Sequence, residues 1–523
     1  MNAEEERTRS LWMEVDAPRL TPLATDAETE VLVIGAGIAG LSTAYELARA
    51  GRRVMVVDRG RFGRGMTART TAHLAFEIDD YFQELAKGHG QDRARLWYES
   101  QAAAVDRIEA ICGEEAIDCD FARLDGYLIP AHQKDVDYLR KELEAARQAG
   151  FHDAKWLDRG APVVGTAAIR FPRQSRFHPT KYLNGLVGAL QRMGAQLHDW
   201  TDIAELDEGS GWITTKTGAG AAIRARQAVV ATNTPFHLRI PIHTKQAPYR
   251  TYVVALPTPK GAVPDVLLWD TEEPGYHYVR LQPGASEDLL IVGGEDHKSG
   301  TEDDGAQRIA RLEAWTRERF PMAGPVRYAW SGQVYEPADY VSFVGRSPEH
   351  QEVYVVTGDS GQGITNGVMA GLLLRDLMAG ADTPWARLYA PSRQMHRGLG
   401  EYVKENMEAA KHWIELVSAH EGASTDELQP GEGGLVRLQG KPVAAYRDDA
   451  GDLHLRSAVC THAGCMVHWN SLERCWDCPC HGSQFGPDGQ VLNGPAAQPL
   501  AAADAGEARR PSPERRGTDR PHA

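Results

Sequence analysis

Residues 31–58 read VLVIGAGIAGLSTAYELARAGRRVMVVD. The apolar run before the first glycine is typical of a buried parallel strand. The segment after the third glycine has the composition of a helix, which Gly51 ends. A second apolar run then leads directly to Asp58. The stretch therefore predicts a strand–turn–helix–strand unit that begins an α/β domain.

The three glycines of this stretch have the spacing of a dinucleotide-binding turn. Gly35 makes the tight turn, Gly37 lets the backbone approach a pyrophosphate, and Gly40 lets the helix pack on the strand. The helix N-terminus offers free N–H groups to phosphates. Asp58 lies 18 residues beyond Gly40 and can accept from ribose hydroxyls, with Arg59 beside it. We expect a Rossmann-type domain; an ordinary βαβ unit is the alternative.

Composition and charge exclude several classes of protein. The chain has 523 residues, which suggests two to four domains at about 150 residues each. Hydrophobic residues make up 42% and charged residues 25%, as in folded globular proteins. The net charge of −15 disfavours nucleic acid and a basic membrane-surface role. No apolar run approaches the roughly 20 residues of a membrane span, and no secretory signal is visible, so we expect a cytoplasmic protein.

Further stretches resemble the D-amino-acid-oxidase and sarcosine-oxidase superfamily of FAD enzymes. They are AVVATN at 228–233, WSGQ at 330–333 with VGR at 344–346, and VYVVTGDSGQGIT at 353–365. The last is again an apolar strand and a glycine-rich turn, followed by a helix predicted over 366–378; a plain βα turn is the alternative. The resemblance implies flavin binding by Gly358, Gly361, Gly363, Ile364 and Thr365. The glycines at 218 and 220 instead predict a hairpin turn, and we find no second nucleotide unit.

Residues 66–74, MTARTTAHL, follow the second strand, where the superfamily lines its flavin. Thr70 and Thr71 can donate hydroxyls to phosphate. His73 loosely resembles the histidine of the dimethylglycine-dehydrogenase branch, which is bonded covalently to flavin. The flanking residues differ from that branch. A covalent link, a noncovalent histidine near the flavin ring and a structural histidine all stay open.

The resemblance implies a discontinuous FAD domain with an α+β substrate domain over 29–395, after a partly ordered leader over 1–28. We expect residues 81–170 to be largely helical and a helix over 179–192. Strands are predicted at 252–256 and 289–293, within the substrate sheet.

Candidate catalytic residues lie on strands that we expect to face the flavin. They are Tyr249, Arg250, Tyr276 and His277. An arginine can clamp a substrate carboxylate with two parallel hydrogen bonds, and a phenol or imidazole can orient an amine. Sheet packing and surface charge are the alternative for each of them, and for Lys245. Glu336 and Asp339 are expected in a solvated loop near the flavin edge.

Cysteine is concentrated near the C-terminal end, where five of seven residues fall between 460 and 480. The two motifs are CTHAGC at 460–465 and CPCHGS at 478–483. Together they supply two thiolates and two imidazoles, the ligand set of a Rieske cluster. Zinc also takes cysteine and histidine, and Cys475 and Cys478 have zinc-knuckle spacing. Zinc would leave the symmetry of the two motifs unexplained.

This region resembles the all-β Rieske [2Fe–2S] domains over about 431–503. The resemblance implies Cys460 and Cys478 on one iron, His462 and His481 on the other, and a disulfide between Cys465 and Cys480. It also implies that Ser483 hydrogen-bonds a cluster sulfide. At Phe485 high-potential members have a tyrosine, whose loss should lower the potential. Cys475 is expected to be a bystander.

Residues 396–430 are predicted to form a helix, over 399–419, and a linker, and residues 504–523 a disordered tail. Together, the two resemblances predict an FAD-dependent enzyme that oxidises a small amine or amino acid. It would pass electrons from flavin to the cluster and on to an acceptor protein or quinone-like molecule. The alternatives are an electron-transfer or redox-sensing module and electron flow in reverse. A Rieske oxygenase is disfavoured, since no separate two-His-one-carboxylate iron site is visible.

Overall fold

The computed structural model describes residues 3–237, 242–273, 275–394 and 424–503. Its helices are α1 Ile38–Arg49, α2 Phe82–His89, α3 Gln91–Glu114, α4 Val136–Gln148, α5 Pro179–Arg192, α6 Gly305–Arg319, α7 Gly363–Met378 and α8 Trp385–Tyr389. The strands of the first part are β1 Ala27–Ile34, β2 Val54–Val57, β3 His73–Leu74, β4 Ala122–Ile129, β5 Lys155–Leu157, β6 Ala168–Arg176, β7 Gln196–His198, β8 Ile203–Gly209, β9 Trp212–Thr217, β10 Ala222–Val230, β11 Gln246–Pro259, β12 Leu267–Asp270, β13 His277–Gln282, β14 Glu287–Lys298, β15 Tyr328–Pro337, β16 Phe343–Arg346 and β17 Val353–Thr357. Those of the second are β18 Glu432–Leu438, β19 Lys441–Arg447, β20 Leu453–Ser457, β21 His468–Asn470, β22 Cys475–Asp477, β23 Gln484–Phe485 and β24 Val491–Asn493.

The first sheet has the order β16-β17-β10-β1-β2-β7, with β8 and β9 as an antiparallel extension. Strands β17, β10, β1, β2 and β7 run parallel. Their side chains are largely buried on both faces, which explains the unbroken apolar runs in the sequence. This sheet confirms the expected Rossmann-type α/β domain, and β9 and β10 form the expected hairpin around residues 218–220.

The second sheet lies over the first and has the order β15-β11-β14-β13-β12-β4-β6-β3, with β5 beside β6. The two predicted substrate-sheet strands lie within β11 and β14. Residues 81–170 contain α2, α3 and α4 but also β4, β5 and β6, so the expectation of a largely helical region is only partly met. Residues 122–129 form a strand whose first half is half-buried and whose second half is buried. Its sequence therefore lacks the apolar–polar alternation that predicts a strand.

The N-terminal segment is packed against the fold, which corrects the expectation of a partly ordered leader. Trp12 is fully buried, and its Nε1 donates to the Thr70 carbonyl oxygen at 2.6 Å. Glu6 is buried against Arg69, with 2.6 Å between charged atoms. The acidic composition of this segment predicts a solvated chain. It does not predict burial, because the partners of the buried side chains lie far along the sequence.

The C-terminal part is a small all-β unit of two antiparallel sheets, β18-β19-β20 and β21-β22-β23-β24. This agrees with the expected fold class. The helix predicted over 399–419 and the tail over 504–523 lie outside the described residues. Within the ranges given above, no helix combines the length and apolar character needed to cross a bilayer.

Candidate cofactor cleft and cysteine–histidine centre

A cleft lies between the two large sheets, at the carboxyl ends of β1, β10 and β17. Most of the expected cofactor residues line it: Gly35, Gly37, Asp58, Thr70, Thr71, His73, Gly358, Gly361, Gly363, Ile364 and Thr365. Gly40 lies behind the cleft, while Arg59 and Asp58 line a small cavity next to it. Ligands of open α/β sheets bind at this edge of the strands.

The glycine turn is built as its spacing predicts. Gly35 has φ of +106°, and a Cβ there would lie 2.3 Å from the Ala231 carbonyl oxygen. A Cβ on Gly40 would lie 1.8 Å from the Gly35 carbonyl oxygen, so only glycine lets α1 approach β1 this closely. Asp58 accepts from the backbone N–H groups of Ala36 and Gly60 at 2.7 and 2.9 Å. The carboxylate holds the turn and retains lone pairs for a ribose.

The lining residues fit FAD. The N-terminal turns of α1 and α7 both face the cleft and present free N–H groups to anionic oxygens. Two cleft residues also carry buried amide atoms without a partner among the described residues, the donor Nδ2 of Asn233 and the acceptor Oε1 of Gln333. Buried polar atoms of this kind ordinarily have a partner, which a bound dinucleotide would supply.

His73 lines the cleft, and both of its ring nitrogens have protein partners. Nε2 lies 3.2 Å from the carbonyl oxygen of Val279, which only accepts, so this nitrogen carries the proton. Nδ1 then accepts from the Thr71 hydroxyl at 3.1 Å. Burial, aided by Arg280, lowers the pKa of His73 to about 3 and keeps the ring neutral. In this arrangement both ring nitrogens are engaged by the protein.

The candidate catalytic residues divide between the two faces of their strands. Tyr276 lines the cleft, and its hydroxyl donates to Asp79 Oδ2 at 2.8 Å. Tyr249 lines a second cavity next to the cleft. Arg250 and His277 point to the opposite face, unlike our expectation. Neighbouring residues of a strand alternate faces, and the sequence does not say which face is which.

Arg250 and His277 have structural partners instead. Arg250 Nη2 lies 3.0 Å from Asp477 Oδ2, in the C-terminal unit. His277 Nδ1 lies 2.9 Å from Asp270 Oδ2, and its ring stacks on Trp315 at a centroid distance of 4.3 Å. Arg250 therefore does not take the carboxylate-clamping role that we assigned to it.

Three other candidates are also placed differently from expectation. Glu336 is not in a solvated loop; it lines both the cleft and the second cavity. Asp339 is buried and pairs with Arg393 at 2.7 Å. Lys245 lines the second cavity, but its Nζ lies 3.3 and 3.2 Å from the carbonyl oxygens of Pro391 and Arg393. The cation is thus turned toward main-chain acceptors.

The second cavity has a volume of about 540 Å³ and is continuous with the cleft. The two share the lining residues Glu77, Asp79, Trp269, Tyr276, Asp296 and Glu336. Our sequence reasoning missed Glu77, Asp79 and Asp296 among them and expected Glu336 in a solvated loop. The local signal for the first two is the acidic run EIDD at 77–80. Asp296 lies near the end of β14, where nothing in the adjacent sequence marks it.

The two cysteine–histidine motifs form a pair of matching loops. Cys460 N–H donates to the Cys465 carbonyl oxygen and Cys478 N–H to that of Ser483, each at 2.8 Å. A disulfide joins Cys465 and Cys480, the pairing that the resemblance implied. The loops therefore face each other across a fixed gap.

The four candidate ligands converge between these loops. The rings of His462 and His481 have centroids 4.9 Å apart. The pKa of the Cys460 thiol is lowered to about 7, chiefly by the Cys478 sulfur and then by N–H groups of its own loop and the Ser483 hydroxyl. Burial lowers the pKa of His462 to about 4, which keeps its imidazole neutral. The contact with the Cys460 sulfur, together with burial, raises the pKa of the Cys478 thiol well above its usual range. Metal ligation requires both thiols to be deprotonated and both imidazoles to be neutral.

Three sulfur atoms, those of Cys465, Cys478 and Cys480, lie within 4.8 Å of one another. Two of them form the disulfide and offer no thiolate, so this trio does not make a zinc site. Cys475 is buried outside the loops, where its Sγ donates to Asp477 Oδ1 at 3.5 Å. The donor set that remains, two thiols and two imidazoles, fits a Rieske cluster.

Three side chains connect the cleft to these loops. Gln333 lines the cleft, and its Nε2 donates to the Gly482 carbonyl oxygen at 2.9 Å. The Tyr335 hydroxyl lies 3.3 Å from the same oxygen. The buried ring of His243 packs against His462 and His481, at centroid distances of 4.9 and 5.9 Å. The histidine side of the centre therefore faces the FAD domain.

Comparisons with known proteins agree with both sites. The family described as FAD dependent oxidoreductase matches residues 30–377, and the Rieske [2Fe-2S] domain family matches residues 419–504. The putative Rieske 2Fe-2S iron-sulfur protein YhfW of Bacillus subtilis is 31% identical over 505 residues, covering 96% of this chain and 98% of that protein. Gamma-glutamylputrescine oxidoreductase of Escherichia coli is 23% identical over 389 residues, covering 71% of this chain and 89% of that protein.

Among solved structures, glycine oxidase from Geobacillus kaustophilus matches with a TM-score of 0.58 and 18% identity, over 70% of this chain and 99% of that one. This likeness supports the fold of the FAD part. The cofactors of the two families are FAD and a [2Fe–2S] cluster. The chain belongs to the FAD-dependent oxidoreductase family and carries a Rieske [2Fe–2S] domain after its FAD domain.

Proposed function

We propose that the protein oxidises a small amine or amino acid with FAD and passes the electrons to its own cluster. The observation that carries this proposal is Gln333, which lines the FAD cleft and hydrogen-bonds the backbone of the second cluster loop. An electron leaving the cleft would cross one side chain to reach the loop that holds Cys478 and His481.

A second bonded route connects the same two sites. Thr232 lines the cleft and donates to the Thr234 carbonyl oxygen at 2.7 Å. The Thr234 hydroxyl lies 3.3 Å from Nδ1 of His243, whose ring covers His462 and His481. Because the FAD domain covers these histidines, they are placed to receive electrons from within the molecule.

Bound FAD takes two electrons from the substrate as a hydride, and the cluster carries one electron at a time. The chain's residues supply the rest. The two glycine turns, with Asp58, Thr70 and Thr71, hold the dinucleotide, and Cys460, His462, Cys478 and His481 hold the cluster. Tyr276, and Tyr249 further out, orient the substrate. The final acceptor is an external protein or a quinone-like molecule.

Anaerobic mixing of the full-length protein with a panel of amines tests the proposal, with the flavin and cluster bands followed separately. We expect flavin bleaching first and cluster reduction second. A Cys460→Ala variant should bleach at the flavin but lose the cluster band, while Cys475→Ala, outside the ligand loops, should keep both. Bleaching only by a protein partner, or reduction of the cluster before the flavin, would contradict the proposal.

A further inference from the structure

The second cavity is lined by nine carboxylates. Five of them form no ion pair within the described residues and lie in the cavity or at its junction with the cleft: Glu77, Asp79, Asp80, Asp296 and Glu336. They come from the segment after β3, from β14 and from β15, so only folding brings them together. Among the residues that the structure describes, no arginine lines the cavity, and Lys245 is turned to backbone carbonyls.

Glu77 is the clearest sign that something is missing from this cavity. The residue is only 4% exposed and lines both the cleft and the cavity. Its backbone carbonyl oxygen accepts from Gln362, but its carboxylate has no hydrogen-bond or ion-pair partner within the described ranges. Asp296 Oδ1 is likewise buried without a partner there. A buried charge without a partner costs several kcal/mol, so such groups are ordinarily paired, protonated or bound to a ligand.

The hydroxyl groups around the cavity are too few to satisfy the remaining oxygens. Tyr276 donates to Asp79. The Ser360 hydroxyl lies 2.7 Å from Asp80 Oδ2 and 3.2 Å from Glu336 Oε2, but it has one proton and serves one acceptor at a time. In these contacts the carboxylate oxygens therefore outnumber the hydroxyl donors.

The pKa values of these carboxylates agree with the shortage of donors and cations around them. Burial, reinforced by neighbouring carboxylates, raises the pKa of Asp80 to about 7 and that of Glu77 well above its usual range. Burial alone dominates at Asp296, whose pKa is raised to about 7. A cation that entered would supply the missing positive charge and, if it were an ammonium group, three N–H donors at each nitrogen.

The walls and size of the cavity favour an organic cation over a metal ion. Aromatic side chains line it: Tyr81, Tyr138, Tyr249, Trp269, Tyr276 and Tyr340. Aromatic faces attract ammonium groups but are poor ligands for hard metal ions. A volume of about 540 Å³ suits a chain of several carbon atoms. A substrate carboxylate would meet like charge here, with no arginine to bind it.

We propose that this cavity binds a substrate with at least two ammonium groups and no carboxylate, a di- or polyamine. One end lies among Glu77, Asp296 and Glu336 and the other reaches the cleft. This rests on the proposed function and narrows its substrate class. In the oxidation, the carbon next to the reacting nitrogen gives a hydride to FAD and the nitrogen loses a proton to a nearby carboxylate. The product is an imine, which water then hydrolyses.

Calorimetric titration of the purified holoprotein under anaerobic conditions tests the inference, with butane-1,4-diamine, spermidine, glycine and magnesium chloride as separate probes. We expect the two amines to bind and glycine and magnesium not to bind. Glu77→Gln should weaken amine binding by about tenfold or more, as the loss of one charge-assisted contact does. Asp296→Asn should act in the same direction.

Glu349→Gln is the matched control, because Glu349 is an exposed carboxylate that lines neither the cleft nor the second cavity. It should leave the amine affinity within about twofold. The flavin spectrum of each variant checks that it is folded. Absent amine binding, amine binding unchanged in both Glu77→Gln and Asp296→Asn, or magnesium binding in place of amines would each overturn the inference.

The flavin band read in the same samples separates this inference from the proposed function. If glycine or another zwitterionic amino acid binds more tightly than the amines and bleaches the flavin, the inference is overturned and the oxidoreductase function stands. If the amines bind in a Glu77-dependent way and leave the flavin oxidised, the binding site stands and amine oxidation is contradicted.

Discussion

Arg250 in the FAD domain and Asp477 in the Rieske domain form a buried ion pair, with Nη2 3.1 and 3.0 Å from the two carboxylate oxygens. Their side chains are 1% and 3% exposed. A second buried pair joins Arg69 to Glu473 at 3.1 Å. These contacts fix the cluster loops against the FAD cleft, which an electron relay within one molecule requires.

Arg250→Met should destabilise the protein by about 3–5 kcal/mol, because it leaves Asp477 buried without its cation. Adding Asp477→Asn should restore part of that loss. Urea unfolding followed by flavin and cluster absorbance measures both effects. The control is Arg327→Met, which breaks an exposed pair with Glu287 and should cost less than about 1 kcal/mol. Equal effects of the two arginine variants would contradict the structural role of Arg250.

Gln333→Leu should slow electron transfer from flavin to cluster several-fold, and by more than it slows flavin reduction by substrate. The substitution removes the hydrogen bond to the Gly482 carbonyl oxygen, which is the shortest side-chain link between the two sites described above. Stopped-flow absorbance at separate flavin and cluster wavelengths measures the two steps. Gln490→Leu is the control, because the Gln490 side-chain amide donates to Glu5 instead of to a cluster loop. An unchanged rate of cluster reduction in Gln333→Leu would rule out this route.

FAD should leave the protein on denaturation, because His73 uses one ring nitrogen toward Val279 and the other toward Thr71. Acid precipitation followed by absorbance of the supernatant measures the released flavin. Flavin that stays with the precipitated protein in the wild type, and is released in a His73→Ala variant, would establish a covalent link instead.

Gly40→Ala should abolish FAD binding or folding of the FAD domain, because its Cβ would lie 1.8 Å from the Gly35 carbonyl oxygen. Gly88→Ala is a matched control in helix α2, where a Cβ meets nothing within 4 Å. That change should stabilise the helix by up to about 1 kcal/mol. The flavin content of the purified variants and their thermal unfolding measure the difference. Full flavin occupancy in Gly40→Ala would show that the turn tolerates a side chain.

Stabilisation of the protein by butane-1,4-diamine should increase with pH. Asp79, Asp80 and Asp296 have pKa values raised to about 6, 7 and 7 in the folded protein. The folded state therefore binds protons more tightly than the unfolded state, and stability from these groups declines as pH rises from about 4 to about 7. A bound diammonium ion offsets that decline, since it pairs with the ionised carboxylates.

Thermal unfolding at about pH 5 and about pH 8, with and without the diamine, measures this change. The diamine should raise the Tm more at the higher pH, and Glu77→Gln should reduce the difference. A Tm increase that is the same at both pH values would contradict the role of these carboxylates.

The motifs that carry the chemistry of this chain are local, and for that reason they could be predicted from the sequence. The turn from Gly35 to Gly40 and the loops 460–465 and 478–483 each place their groups through backbone geometry over a few residues. The disulfide between Cys465 and Cys480 agrees with the pairing implied by the Rieske resemblance. Helix α5 has the predicted bounds, because its apolar stripe and its following glycine are also local features.

The sequence by itself determined the two cofactor families, since glycine spacing and cysteine–histidine spacing act over short segments. Only the tertiary structure decided which face of β11 carries Arg250. It also places residues 5–8 in the contact between the domains and brings Glu77, Asp296 and Glu336 to one cavity. Those outcomes depend on strand register and on pairing between residues hundreds of positions apart. Neither the charge of a side chain nor the alternation of polar and apolar residues along one strand specifies these long-range contacts.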